Sequence, residues 1–161
     1  MTWGDGGDRR LGNNSTSDET SPYTANSDTD WQSVFCGGAY TKAIKTTSGH
    51  HYHAGTGGSF GGGTRGDGST SYLGTFTRIG SDTGWQEFIN LTYSSFTFYA
   101  WGKKSDSFYV CGRVSSSPYI KTGGTATTSN TTTFVELADP APSHFILFNY
   151  DSSRPEAFYL V

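Results

Sequence analysis

Short runs rich in Tyr, Phe, Thr and Val recur along the chain, and Gly, Ser, Asp and Thr separate them. β-branched and aromatic residues suit a pleated, half-buried surface, and the intervening residues suit turns. The Ala/Leu/Glu/Lys mixture that fills helices is missing. The chain therefore reads as all-β.

The clearest runs come in pairs. Ala39 to Lys45 and His51 to Gly55 flank a turn at Thr46 to Gly49. Phe96 to Trp101 and Phe108 to Gly112 flank Lys103 to Ser107, and Phe145 to Tyr150 and Phe158 to Val161 flank Asp151 to Glu156. Each pair predicts a β-hairpin with a loop somewhat longer than the commonest two-residue kind. The polar Gly/Ser/Thr stretches between hairpins are expected to be long surface loops carrying one or two short edge strands.

The runs also repeat. Ser-Asp-Thr-Asp-Trp31-Gln32 returns as Ser-Asp-Thr-Gly-Trp85-Gln86, an offset of 54 residues (85 − 31). Extended backwards without gaps, this register matches nine of the 21 positions from Gly12 to Gln32, Gly12 falling over Gly66. Ser and Thr abundance alone does not account for the Trp-Gln and Gly pairs. At an offset of 57, His144 to Tyr150 lies over Glu87 to Tyr93, and His53-Ala54-Gly55 over Val110-Cys111-Gly112. Thr2-Trp3-Gly4 carries the same strand-end pattern. A period of this size signals stacked supersecondary units. Three units follow, about 31–84, 85–140, and 141–161 completed by 1–30, within one domain over 1–161. Trp3, Trp31, Val34, Trp85, Phe88 and Trp101 are the expected core positions, and loss of Trp31 or Trp85 is expected to cost about 3–5 kcal/mol each.

Trp3-Gly4-Asp5, Leu11-Gly12-Asn13-Asn14-Ser15-Thr16, Ser21-Pro22, and Cys36-Gly37-Gly38-Ala39-Tyr40-Thr41 followed by Ala43-Ile44 together resemble the repeat of the regulator of chromosome condensation family. The match is good over 1–45, moderate over 46–100 and poor beyond. The resemblance implies β-propeller-like blades of four strands, and is nearest to divergent members in bacterial and bacteriophage proteins. Three blades are fewer than the four to eight of ordinary propellers. The expectation is a partial ring completed by oligomerisation, or a compact threefold β-prism or trefoil. The founding members act as exchange factors for a small GTPase, but fold likeness alone does not carry that activity over.

Composition narrows the function. A net charge of −3 with 16% charged residues disfavours partners held by phosphate contacts, so no nucleic acid is expected. No run is long enough to cross a bilayer, and Met1 to Asp5 has no export-signal pattern, so no membrane partner is expected. Cys36 and Cys111 lie in apolar runs and read as buried free thiols.

His51 and His53 share one strand face and are a weak candidate for a metal pair; no third ligand is evident, and a decorated strand face is the preferred reading. Arg65-Gly66-Asp67 spells an adhesion tripeptide, yet falls at the Gly12-Asn13 loop of the first unit. The carboxylates lie in turns, where Asp bonds its local backbone, and no acid/base pair stands out. No catalytic residue and no cofactor are expected. Tyr23, Tyr72, Phe76 and Tyr119 lie in loop-like stretches and are candidate interaction residues. The chain reads as a non-enzymatic structural or interaction protein, an accessory component of a bacteriophage virion (capsid decoration, collar or tail). Its expected partners are other copies of itself and virion proteins. The rival reading is a carbohydrate-binding or adhesion module at an extracellular surface, with glycans as partners. An exchange factor by fold analogy comes third.

Overall fold

The computed structural model describes residues 1–57, 63–94, 97–112, 120–122, 125–127 and 131–136. A short antiparallel ladder joins β1 (Thr2–Gly4) to β2 (Glu19–Tyr23), with a 3-10 turn at Gly7–Arg9 between them. Four strands then follow as a meander in chain order: β3 (Trp31–Cys36), β4 (Tyr40–Lys45), β5 (His51–Gly55) and β6 (Leu73–Arg78). A second meander is built from β7 (Trp85–Ser94), β8 (Thr97–Lys104) and β9 (Ser107–Gly112). The hairpin β10 (Ile120–Thr122) to β11 (Thr125–Thr127) interrupts it before β12 (Thr131–Glu136) pairs with β9. The fold is all-β, in antiparallel blade-like sheets.

The predicted hairpins at 39–55 and 96–112 are β4–β5 and β8–β9; the third lies outside the described residues. The stretches between hairpins hold more regular structure than expected. β3 and β6 are six residues long and β7 ten, so each hairpin is the centre of a four-stranded sheet. Alternating polar residues conceal such strands, because one face of an antiparallel sheet can stay wet.

The 54-residue repeat is a repeat of register. Trp31 stands opposite Lys45 and Trp85 opposite Lys104, and each ladder then slips by a bulge, Ser33 to Ile44 and Glu87 to Lys103. The loops repeat as well. The N–H of Ser15 is accepted by Asn13 Oδ1, that of Ser69 by Asp67 Oδ1; Ser17 and Ser71 then donate to Ser15 Oγ and Ser69 Oγ. Gly12 and Gly66 open these loops at φ +71° and +86°. A Cβ there would come within 2.5 Å of the Phe76 ring or 2.3 Å of the Phe134 ring. Only glycine accommodates both the left-handed backbone and the aromatic lid.

The core lies between the two four-stranded sheets. Tyr40 and Ile44 of β4 meet Trp85, Phe88, Ala100 and Cys111 of the second sheet, with Phe35 and Phe134 packed at the margin. Trp85, Phe88 and Trp101 are buried as expected. Three other expected core residues are not. Trp3 is 61% exposed, Val34 is 53% exposed and Trp31 is half-buried. Trp3 falls in the two-stranded ladder, and Val34 points to a face that the second sheet does not reach. Cys36 is exposed and only Cys111 is buried; both are free.

The equal cost expected for the two tryptophans is therefore revised. Trp85→Ala should destabilise the protein by about 3–5 kcal/mol, and Trp31→Ala by about half as much, because the cost scales with how much of the ring is packed away from water. Urea unfolding of both variants, read by circular dichroism, checks the order. Equal losses would contradict the burial difference.

Candidate functional site

The space between the sheets contains an unusual layer of bases. Register places Phe35, Lys42 and His53 side by side, with Ile44 and His51 one pair along on the same face. Lys42, His51 and His53 are all buried. Their partners are carbonyl oxygens of the loop between β5 and β6. Lys42 Nζ donates to the Arg65 carbonyl at 3.2 Å, and His51 Nε2 lies 3.3 Å from the same oxygen. His53 Nε2 lies 2.9 Å from the Thr56 carbonyl, which also accepts from Thr64 Oγ1 at 3.1 Å. Cys111 Sγ reaches the Thr64 carbonyl at 3.6 Å. Because Nε2 of each imidazole faces an acceptor, it carries the proton, leaving the two Nδ1 atoms as buried lone pairs without a partner.

Aromatic rings fill the rest of this layer. Tyr40 stacks on His53 at 5.3 Å; Trp85, Phe88 and Phe134 surround His51 at 5.0–5.6 Å. Lys42 Nζ stands 5.1 Å from the centroids of both Phe88 and Phe134, so its charge rests on two ring faces. Burial holds both imidazoles well below their ordinary range, with the Lys42 charge acting the same way. Burial also brings the Lys42 ammonium down to about 8 and pushes the Cys111 thiol up to about 12.

What the layer does is anchor a loop. Its donors draw the carbonyls of Thr56, Thr64 and Arg65 between the sheets, where a bare backbone oxygen would be costly. The second sheet solves the same positions differently. By register Trp101 occupies the place of Lys42, Phe108 that of His51 and Val110 that of His53, all of them buried. Of the two described four-stranded sheets, only the first carries the basic layer.

A second cluster does repeat. Lys45 Nζ lies 5.1 and 5.2 Å from the Trp31 and Tyr52 rings and bridges Asp28 at 2.9 Å and Asp30 at 3.0 Å. Lys104 Nζ lies 4.8 and 4.4 Å from Trp85 and Tyr109 and bridges Asp82 at 3.0 Å. Its two carboxylates hold the Lys45 ammonium above its ordinary value, and Lys45 in turn lowers Asp30.

The residues singled out from sequence fall as follows. His51 and His53 share a face, but each Nε2 serves a backbone carbonyl, and among the described residues no group of three metal-ligating side chains forms. Arg65 and Asp67 bridge each other, Arg65 also bonding Ser69 Oγ and the Ser71 carbonyl, so the tripeptide closes on itself as repeat-loop structure. Tyr23 and Tyr72 are 45% and 41% exposed. Phe76 is half-buried in β6, over Gly12 and 5.6 Å from Trp31, so it is a packing residue of a strand and not a loop anchor. Tyr119 lies outside the described residues. Nothing in the sequence marks Lys42 or Lys45, since a lysine in an apolar run ordinarily reads as a solvated edge. The offset of 59 linking Lys45 to Lys104, longer than the 54 linking the tryptophans, hides that pair as well.

Successive four-stranded meanders, packed on one another and sharing a glycine loop and a Trp–Lys–Asp cluster, define a β-propeller-type repeat protein. Residues 2–44 match the family model for the regulator of chromosome condensation (RCC1) repeat. The matched stretch runs from β1 into β4, while the loop and register equivalences carry the unit on to residue 136. No curated protein matches the chain.

The basic layer makes stability depend on pH in two windows. Below about pH 6.5 an unfolded chain protonates its histidines while the native one does not, so stability should fall as pH drops from 6.5 to 5. Between about 8 and 10.5 the unfolded chain retains a proton that native Lys42 has lost, so this residue's contribution rises with pH. Cys111 and Tyr40, both raised by burial, act in the opposite sense at high pH. The difference between wild type and Lys42→Met removes their part. That difference should move by about 1 kcal/mol in favour of wild type from pH 7 to 9. At pH 7 Lys42→Met should be at least as stable as wild type, as apolar replacements of buried charges often are. Urea midpoints at pH 5, 7 and 9 test all three expectations.

Proposed function

We propose that this protein is a non-enzymatic interaction module, built into a larger protein assembly as an accessory component of a bacteriophage particle. The observation that supports the interaction role is the exposure of large apolar side chains on the N-terminal ladder and on the first sheet. Met1 is 83% exposed, Trp3 61%, Val34 53% and Tyr23 45%. Large apolar side chains left exposed are what protein-binding surfaces draw on, with Trp and Tyr as the usual anchors. The buried polar groups, by contrast, are spent on holding the β5–β6 loop. The low charge and the Gly/Ser/Thr/aromatic composition support the particle as setting.

Tyr23 and Tyr72 favour a second reading, since exposed rings also stack on sugars. Two measurements separate the readings. Particles purified on a density gradient should carry the protein at constant stoichiometry, and Trp3→Ser with Tyr23→Ser should reduce its incorporation. Saturable sugar binding by the isolated protein on a glycan array, with no particle association, would favour adhesion instead.

A further inference from the structure

The loop that the basic layer anchors also ties the two sheets together. Residues 63–68 of that loop bring the Thr64 and Arg65 carbonyls to the bases of the first sheet, and their other side is bonded to the second. The Gly68 N–H donates to the Thr132 carbonyl at 2.8 Å, and the Phe134 N–H to the Gly66 carbonyl at 3.3 Å. Gly63 backs onto Thr132 with no room for a Cβ, and the Phe134 ring lies over Gly66. Thr132 and Phe134 belong to β12, while Cys111 of β9 reaches the Thr64 carbonyl. Residues 63–68 are therefore a strap, with His51 and Lys42 on one side and β9 and β12 on the other.

The imidazoles in this joint have no counter-charge among the described residues. β4 presents Lys42 and the neutral Tyr40, β9 the Cys111 thiol, and β8 the more distant Lys104. The strap brings Arg65 and Asp67, whose side chains bridge each other. β7 and β12 contribute rings, Trp85, Phe88 and Phe134. Each imidazole meets a carbonyl through Nε2 and has a buried Nδ1 with no partner. With both imidazoles neutral, the single charge at the layer's centre is Lys42. With both protonated there are three, and two new N–H donors face no acceptor. Unpaired charges buried among rings are costly, so water has to enter. β5 is laddered on both edges, to β4 and β6, and holds its place. The strap crosses to β12 on two backbone hydrogen bonds. It is the part that yields.

We propose that residues 63–68 are an acid-released strap: when His51 and His53 take up protons, these residues let go of β12 and of the bases, and the joint between the sheets opens while the strand ladders stay intact. The direction follows from linkage. Burial holds both imidazoles below their ordinary range in the closed joint, and opening returns them to about 6.5, so the open form gains as pH falls below that value. From pH 7 to pH 5 the gain is about 25-fold for one histidine and up to about 600-fold for the two. Phe108 and Val110, at the same places in the second sheet, take no proton and give no such response. A fall in overall stability with acid requires only that unfolding expose the histidines. The strap requires a local opening of the native protein.

Hydrogen exchange of single amides, followed by NMR at pH 7 and pH 5 and corrected for intrinsic rates, tests this. The Gly68 and Phe134 amides report the strap, and the amides of the β4–β5 ladder report the sheet. Strap protection should fall by about 25- to 600-fold at pH 5 and be insensitive to urea below the unfolding transition, because local opening exposes little surface. Ladder amides should stay better protected and respond to urea. His51→Gln and His53→Gln keep a side-chain N–H for the carbonyl but take no proton. Each should remove about 25-fold of the pH effect, and the pair should abolish it. If the Gln pair does not fold, His51→Phe with His53→Val carries the same test, since the second sheet packs those residues there. Equal strap protection at the two pH values overturns the proposal. So do strap amides that exchange only together with the ladder in a urea-dependent step, or a pH effect that survives in the non-titrating variants.

Discussion

A four-stranded meander of this composition has two faces, and neither can be left in water without cost. The structure depends on that constraint. The second sheet lays Trp85 and Phe88 against Ile44 and Phe35 of the first, and in doing so buries the rings that give the repeat its Trp. At about 25 cal/mol per Å² of apolar surface removed from water, one such contact outweighs any of the ion pairs at the surface. Each unit is consequently stable only beside another, as expected of a stacked repeat. The glycine loop couples the units further, since Gly12 sits under Phe76 of the first sheet and Gly66 under Phe134 of the second. A side chain at either glycine would lift the loop from the strand it seals.

The surface cluster of Lys45 or Lys104 with its carboxylates has a different task. It lies at the end of the ladder where the bulge displaces the first strand, and it fixes the tryptophan ring from one side. Trp31 adds an indole N–H bond to Asn26 Oδ1 at 3.4 Å, whereas the Trp85 indole is buried without one. The same residue type is thus held by polar contacts where its sheet face is open and by packing where it is covered. That difference explains why one repeat position has two burial states.

The architecture was legible in the sequence because two of its signals are local. The Ser-Asp-Thr-x-Trp-Gln motif combines a polar turn, a bulge and a core ring in consecutive residues, and the hairpins announce themselves by aromatic density. The outer strands were not legible: Leu73 to Arg78 alternates Leu, Thr, Phe and Thr with a glycine, a pattern that polar loops share. Burial was the hardest to read. Val34 and Phe88 occupy equivalent positions in sequence and register, and it is the first sheet packed on Phe88, not the residue's place in the repeat, that makes it dry. Lys42 shows the same difficulty in reverse, a charged residue made internal by a loop whose carbonyls approach from far along the chain.

That lysine also shows which features the repeat requires and which it permits. Lys42, His51 and His53 in the first sheet become Trp101, Phe108 and Val110 in the second, with the strand register unchanged. An apolar layer therefore satisfies the blade geometry, and burying three bases carries a desolvation cost the second sheet avoids. The compensation lies in the β5–β6 loop, whose Arg65 carbonyl accepts from Lys42 while the Arg65 side chain closes on Asp67. Charge, carbonyls and rings are matched pairwise, so a slipped register would strand an ammonium among apolar side chains. A buried polar layer of this kind penalises misaligned stacking more than correct stacking, which an all-apolar layer does not. In a chain of similar units that can pair out of order, this discrimination is a physical reason for one interface to be polar while its repeat is not.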